Sequence, residues 1–312
     1  MGIQKLQRYR LISQTGRDRY WPDHRGNRHY CHLPVADCTA LWPQKRADNM
    51  RVQKWILFFS VLLSVLLPFL PLVLWSTSER WFYPGLLPQS FGLRAWTYVF
   101  GTAGDQIVTG LSSSFSLALV TTIVSLILGI PAGRALGLYD FPGKKMVSLL
   151  LILPIIVPPL SVSMGLHFWF IQLRLAETFV GVVLIHLTVC LPYTIFVIWG
   201  VFTDYNPDFE EQAQSLGASP AKIIVQVMLP MILPGITVAA LFSFLLSWSQ
   251  YLSTLIIGGG KLLTLPILLF SLMDSGDRPV AAAVSLVFIL PAFLALMGSA
   301  YNLGRSGLQG VR

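Results

Sequence analysis

FVGVVLIHLTVCLPYTIFVIWGVF, residues 179–202, holds no Asp, Glu, Lys or Arg. A helix rises 1.5 Å per residue, so about 20 apolar residues cross the roughly 30 Å of bilayer hydrocarbon. Backbone polar groups in lipid must be satisfied within a helix or a closed barrel, and a run this long excludes a barrel strand. The stretch therefore reads as a transmembrane helix. The whole chain agrees: 54% of residues are hydrophobic, 12% are charged, and mean hydropathy is +0.66. A soluble domain carries about 25% charged residues.

Five further apolar runs of spanning length flank this one, from about Trp55 to Trp75, Leu111 to Leu136, Met146 to Phe170, Ile236 to Ile257 and Val280 to Leu303. The expected fold is an all-α membrane protein with six transmembrane helices. The net charge of +8 is uneven: residues 1–54 hold eleven of the 22 Lys and Arg and four of the 14 Asp and Glu, which gives that segment +7. A basic patch ahead of a first span reads as a topology signal before it reads as a nucleic-acid arm. With the N-terminus inside, the cytoplasmic side gains Arg134, Lys144, Lys145, Lys222, Arg305 and Arg312. The outside then holds only Arg80, Arg94, Arg174, Lys261 and Arg278. Both termini are expected in the cytoplasm.

Residues 1–49 lack periodicity, clear caps and the apolar core of a secretory signal. Met50 opens MRVQKWILFF, a short basic run feeding the first span. We read Met50 as the expected native start, with 1–49 a disordered or mis-assigned basic extension and 50–312 the transmembrane domain. Cys31 and Cys38 lie near His24, His29 and His32, but their spacing fits no common zinc pattern, and no metal site is expected. Cys190 reads as a small buried apolar residue.

One polar stretch interrupts the apolar runs: EEQAQSLGASPAKIIVQVMLPMILPG, residues 210–235. Before it, Asn206-Pro207-Asp208 supplies an Asn cap, proline in the first turn and acidic residues at the positive end of the helix dipole. Gly217 follows the helix where a left-handed residue can satisfy orphan carbonyls. Ser219-Pro220 starts a second helix, which Pro230 is expected to limit, and Pro234-Gly235 introduces the fifth span. The unit is amphipathic and faces the cytoplasm. On residue chemistry alone it is either a connector lying at the membrane interface or a docking element for a soluble partner.

The spacing here resembles the permease subunits of type I binding-protein-dependent ABC importers. Their cytoplasmic motif runs Glu-Ala-Ala, three residues, Gly, nine residues, Ile, one residue, Leu-Pro. This chain has Glu211-Gln212-Ala213, then Gly217, Val227 and Leu229-Pro230, departing at Gln212 and Val227. FGLRAWTYVF from residue 91 resembles the segment that introduces the permease core. SWSQYLSTLIIGGGKLLTLPILLFSL from residue 247 resembles its fifth span and external re-entry. Within the family the likeness is greatest to the branch serving polyamines, thiamine, ferric iron and some oxyanions.

The resemblance implies the type I permease fold, in a multi-pass protein of a bacterial inner (plasma) membrane. It also implies a translocation pathway coupled to an ATPase dimer that carries ATP and Mg, a second permease subunit, and an extracytoplasmic solute-binding protein. Glu211, Ala213 and Gly217 would shape the coupling element. Ser219 to Met228, with Ser219, Ile223 and Val227 singled out, would contact the ATPase, and Leu229-Pro230 would join the element to span five. The chain itself is expected to be no enzyme and to bind no cofactor. Its nearest approach to a phosphate loop, GLYDFPGKK at 137–145, has the wrong spacing and ends in Lys145 where Ser or Thr is needed.

Several other features carry two readings. Gly129, Gly133 and Gly137 line one face of the second span, where small residues allow close helix approach within the chain or between subunits. Prolines that unwind spans can line a cavity, which makes Pro158, Pro159 and the polar His186, Tyr193, Gln250 and Tyr251 pathway candidates. With no acid in the spans, a cation would be held by ring faces, hydroxyls and carbonyls. The rivals are a secondary transporter, which would show intramembrane acids and an internal repeat, a membrane enzyme, which would show a catalytic cluster, and a non-transport assembly protein.

Overall fold

The computed structural model describes residues 20–22, 28–30 and 44–309 apart from 83 and 86, with side chains described from Gln53 to Gly304. Cys31, Cys38, His24 and His32 lie outside the described residues, and only the backbone of His29 lies within them. The chain divides into two compact units, Met1–Pro68 and Phe69–Arg312. In the first, β1 (Tyr20–Pro22) pairs antiparallel with β2 (Arg28–Tyr30), and α1 (Gln44–Leu66) runs through Met50 without a break. Residues from Trp55 to Leu67 of α1 and its end are exposed apolar side chains almost throughout, the surface of a helix whose solvent is lipid.

The second unit begins with α2 (Phe69–Ser76), so the span expected from Trp55 to Trp75 is two helices parted at residues 67–68. Pro68 disfavours helix in the residue before it and lacks a donor. A two-strand pair, β3 (Ser78–Arg80) with β4 (Ser90–Phe91), leads to the short α3 (Arg94–Phe100), which buries Ala95 and Val99. The long helices α4 (Gly104–Leu138), α7 (Phe179–Thr203), α9 (Pro220–Trp248) and α12 (Arg278–Gln309) form the body. Between them come α5 (Lys144–Ile156), α6 (Pro159–Gln172), α8 (Asp208–Ser215), α10 (Leu252–Gly258) and α11 (Leu265–Asp274).

Two expected boundaries are corrected. The third span is not one helix from Met146 to Phe170, because α5 and α6 meet at 102°. Val157 and Pro158 are extended, with ψ 133° and 131°. Pro158 and Pro159 each remove a donor, and each pushes the residue before it out of the helical region. The fifth span is not Ile236 to Ile257. Its helix begins back in the polar stretch at Pro220, stops at Trp248, and is followed by a separate seven-residue helix.

Glycine contacts fix the directions of the spans. A β-carbon on Gly129 would meet Thr194, one on Gly133 would meet Ile198 and Trp199, and one on Gly137 would meet Phe202. Residue numbers rise together on α4 and α7, so the two helices are parallel and packed backbone to backbone. The glycine face is thus used within the chain. Parallel neighbours require the segment between them to recross the same thickness, so the bent α5–α6 pair is one broken span. In contrast α9 opposes α7: Gly235 lies against Val201, the Cys190 thiol against the Ser243 carbonyl, and His186 against Ser247.

The buried core has three parts along the bundle. At one end Trp248 donates to the Phe288 carbonyl and stacks between Phe244 and Phe288. Beside it, Arg94 of α3 makes a bidentate pair with Asp277 ahead of α12; this contact raises the guanidinium pKa, the hydrogen bond being the main cause. At the other end Ile198, Phe202, Tyr205, Met228 and Ile232 pack together beneath α8.

Candidate coupling site

The site lies where α4 and α7 end, the side that the Lys and Arg distribution assigns to the cytoplasm. Asn206 accepts through Oδ1 from the Asp208 N–H at 3.0 Å. The Pro207 carbonyl accepts from the N–H groups of Glu210 and Glu211. This is the expected cap, with the acids in the first turn of α8. Gly217 has φ +83°, its N–H reaches the Gln214 carbonyl, and the Ala218 N–H reaches Ala213. That pair of bonds closes a Schellman turn at the glycine predicted for it.

Beyond the turn the structure departs from expectation. Ser219 is extended and Pro220 opens a helix, but Pro230 does not limit it. Residues 224–228 widen into a π turn, in which the Leu229 N–H reaches the Ile224 carbonyl, and the helix continues past Pro230 and Pro234 to Trp248. The physical cause is the ring of Pro230, which clashes with the carbonyl four residues earlier and offers it no donor. A one-residue slip of the ladder relieves both. The second half of the cytoplasmic unit and the fifth span are therefore a single rod of 29 residues.

The predicted residues divide by position. Glu211, Gly217 and Ser219 are exposed, Ala213 and Val227 are half-buried, and Ile223 is buried against the chain itself. Leu229 and Pro230 are exposed at the start of the membrane segment. Phe209, Leu216, Ile224 and Val225 face outward here, with Leu216 89% exposed; the expected contact range Ser219 to Met228 left out Phe209 and Leu216 and took in Ile224 and Val225 without singling them out. The amphipathic pattern could not find them, because both faces of the second helix carry apolar residues and the π turn shifts the register between them.

Also missed was Glu210, the half-buried centre of a polar cluster. Its Oε2 lies 2.7 Å from Arg134 Nη2, and Tyr205 donates to its Oε1 at 2.8 Å. Arg134 Nη1 lies 3.1 Å from Met228 Sδ. Burial first, and then the carboxylate of Glu210, push the Tyr205 hydroxyl up to about 12, so it stays a donor at neutral pH. The only signal in the sequence is an Arg near the end of a span and a Glu in an adjoining helix, which does not specify a contact.

The pathway candidates fall into a second cluster. His186 is buried, with Nδ1 2.8 Å from the Ser247 hydroxyl and Nε2 2.9 Å from the Thr254 hydroxyl, so it ties α7 to both sides of the break after α9. Ser253 donates to Gln250 Oε1 at 3.2 Å, and the Ser163 hydroxyl lies 3.1 Å from Ser253 and 2.8 Å from the Pro159 carbonyl. The network thus links the break at Pro158-Pro159 to the break at Gln250-Tyr251. Tyr251 stacks on Phe270 with ring centroids 4.0 Å apart. Tyr193 is half-buried farther along α7. Among the described residues no group of His, Cys, Asp and Glu could hold a metal ion.

The family of binding-protein-dependent transport system inner membrane components matches residues 125–306, more than half of the chain. The chain belongs to it. The match takes in residues 207–230 and the helix breaks at Pro158-Pro159 and Gln250-Tyr251. This permease is 28% identical over 260 residues to a putative 2-aminoethylphosphonate transport system permease protein of Salmonella typhimurium, covering 82% of this chain and 95% of that one. It is 27% identical over 186 residues to a spermidine/putrescine transport system permease protein of Haemophilus influenzae, covering 60% and 72%. A trehalose transport system permease protein of Mycobacterium tuberculosis is 28% identical over 193 residues, covering 60% and 70%.

Among solved structures the permease matches a bacterial ABC transporter involved in import of the acidic polysaccharide alginate. The TM-score is 0.64 at 17% identity, covering 83% of this chain and 98% of that one. A MetNI methionine ABC transporter matches at TM-score 0.53 and 17% identity, covering 66% and 98%. The fold is that of ABC importer permeases. The chain is a membrane-spanning permease subunit, part of a translocation pathway in an inner membrane.

Proposed function

We propose that residues 207–230 are the element through which this permease takes up the work of a separate ATPase, and that ATP and Mg are bound on that partner. The supporting observation is the rigid corner. A capped α8, a Schellman turn at Gly217 and a helix continuous with the fifth span leave no slack between a cytoplasmic contact and the membrane. Glu211 and Ser219 with the exposed Leu216 and Ile224 form the contact surface. Ala213, Gly217, Ile223 and Val227 give it shape, and Leu229-Pro230 pass its motion into α9.

One chain carries one such element, whereas the ATPases of an ABC importer act as a pair. The working assembly therefore contains a second permease, identical or homologous, and an extracytoplasmic binding protein that delivers the solute. The broken helices at Pro158-Pro159 and Gln250-Tyr251, joined through Ser163 and Ser253 with His186 tying the second break to α7, are the proposed site of opening along the pathway, with Tyr193 farther along it. Permeases related to this one are named for an aminophosphonate, a polyamine and a disaccharide. The coupling element is thus read as independent of cargo.

The test is a pair of variants in the assembled importer. Proline cannot adopt φ +83°, so Gly217→Pro breaks the corner; the protein is expected in the membrane at normal level with uptake abolished. Glu211→Lys reverses an exposed charge and is expected to weaken co-purification with the ATPase in a salt-dependent way. Normal uptake by Gly217→Pro would sink the proposal.

A further inference from the structure

The coupling segment has a second attachment to the membrane domain, besides its chain connection to α9, and it passes through Glu210. Among the described residues, the Arg134–Glu210 pair is the one ion pair that joins α8 to a membrane span. Arg134 lies one residue beyond Gly133 and three before Gly137, where α4 is packed backbone to backbone on Ile198 and Phe202 of α7. Tyr205, which takes the other carboxylate oxygen, packs edge-on against Phe202 at 5.4 Å. Met228, which meets the other arm of the guanidinium, is 5% exposed and sits in the π turn of α9.

The Glu210 carboxylate thus joins α8 to the end of α4 and to the turn after α7, and through the other arm of Arg134 the cluster reaches Met228 in the rod formed by α9. We propose that Glu210 is a positioning residue that clamps α8 to α4, so that a push on the coupling segment moves α4, α7 and α9 as one block instead of bending α9 alone. The neighbouring Glu211 is exposed and makes no ion pair among the described residues, so the two adjacent acids divide the work, one outward and one inward.

The energetics favour a clamp over a loose surface contact. The Arg134 and Glu210 side chains are 27% and 16% exposed. Both carboxylate oxygens are engaged, one of them by an arginine. Charge-assisted bonds shielded from water are stronger than exposed pairs, and losing one partner leaves the other charge half-buried and unpaired. The pair also joins two rigid objects, a 35-residue helix and a capped eight-residue helix, so it costs little ordering entropy to keep.

The inference rests on the proposed ATPase contact, and the test separates the two. The full permease, with Cys31 and Cys38 replaced by Ser, carries spin labels at Tyr139→Cys just past α4 and Gln214→Cys on α8, both exposed positions. It is purified with its ATPase and partner permease. The distance between the labels is measured without nucleotide and after trapping with MgATP and vanadate. The expected result is a distance that stays the same in the two states when Glu210 is native.

In Glu210→Gln it is expected to shift by about 2 Å or more, the scale of a helix sliding past its neighbour. The exchanged pair Arg134→Glu with Glu210→Arg should restore the constant distance. A role in folding alone would lower yield in both states and leave the distance unmoved. The clamp is overturned if the native distance changes on trapping, or if Glu210→Gln behaves as the native protein does. Failure of the native permease to hold the ATPase at all would instead overturn the docking reading, and the clamp with it.

Discussion

Gly137 and Gly165 are both helical glycines in an apolar setting, yet the structure gives them opposite meanings. A β-carbon at Gly137 would overlap the β-carbon of Phe202 and lie 3.0 Å from its carbonyl carbon, whereas at Gly165 nothing lies within 4 Å. The obstruction at Gly137 is backbone and near-backbone, so no rotamer change relieves it and α4 must move off α7. Overpacking of this kind costs about 1–3 kcal/mol. Gly137→Ala is expected to lower the thermal stability of the purified permease by several degrees. Gly165→Ala should leave stability unchanged or raise it slightly through helix propensity. Thermal unfolding in detergent distinguishes them, and equal shifts would show that the close approach of α4 and α7 carries no weight.

At the scale of the element, prolines show what the sequence could and could not disclose. Pro131, Pro154, Pro192, Pro234 and Pro291 all lie inside continuous helices. Breaks fall instead at the Pro158-Pro159 doublet, beside Pro68, and at Gln250-Tyr251, where there is no proline. A single proline removes one donor, and a neighbouring turn absorbs the loss, as the π turn does ahead of Pro230; the adjacent pair Pro158-Pro159 removes two donors from one turn and holds the residue before each ring extended. Apolar run length therefore located the spans, and Asn206, Pro207, Gly217 and Ser219 located α8 and its turn, because capping chemistry is local. The π turn was hidden because it follows from Pro230 acting on a helix already committed by packing at Ile223, Met228 and Ile232.

Restoring the donor gives the corresponding prediction. In Pro230→Ala the ladder can return to α geometry, and hydrogen-exchange protection across 224–234 is expected to rise. Removing a one-residue slip rotates everything on the N-terminal side by about 100°, which swings Ile223 out of its buried place and changes the face that α8 presents. Uptake should therefore fall while the helix itself becomes firmer. Unchanged exchange at 224–234 would mean that something other than Pro230 holds the π turn.

At the scale of the molecule, the parallel packing of α4 and α7 decides how the chain threads the bilayer. Gly129 against Thr194, Gly133 against Ile198 and Gly137 against Phe202 form a register that an antiparallel pair cannot make. The segment 144–172 must therefore cross once, bent by 102° but not returning to its own side. The Lys and Arg counts add which side is which, and the two arguments are independent: one uses helix contacts, the other loop charge. Single cysteines in a background with Cys31 and Cys38 replaced by Ser test both. At Asp140 and Gln214 a membrane-impermeant thiol reagent is expected to react only from the cytoplasmic side; at Arg174 and Lys261, only from the outside. Asp140 and Arg174 reacting from one side would make α5–α6 a re-entrant loop and overturn the parallel register. All four exchanging sides together would keep the register and overturn the orientation, moving the coupling segment away from any cytoplasmic ATPase.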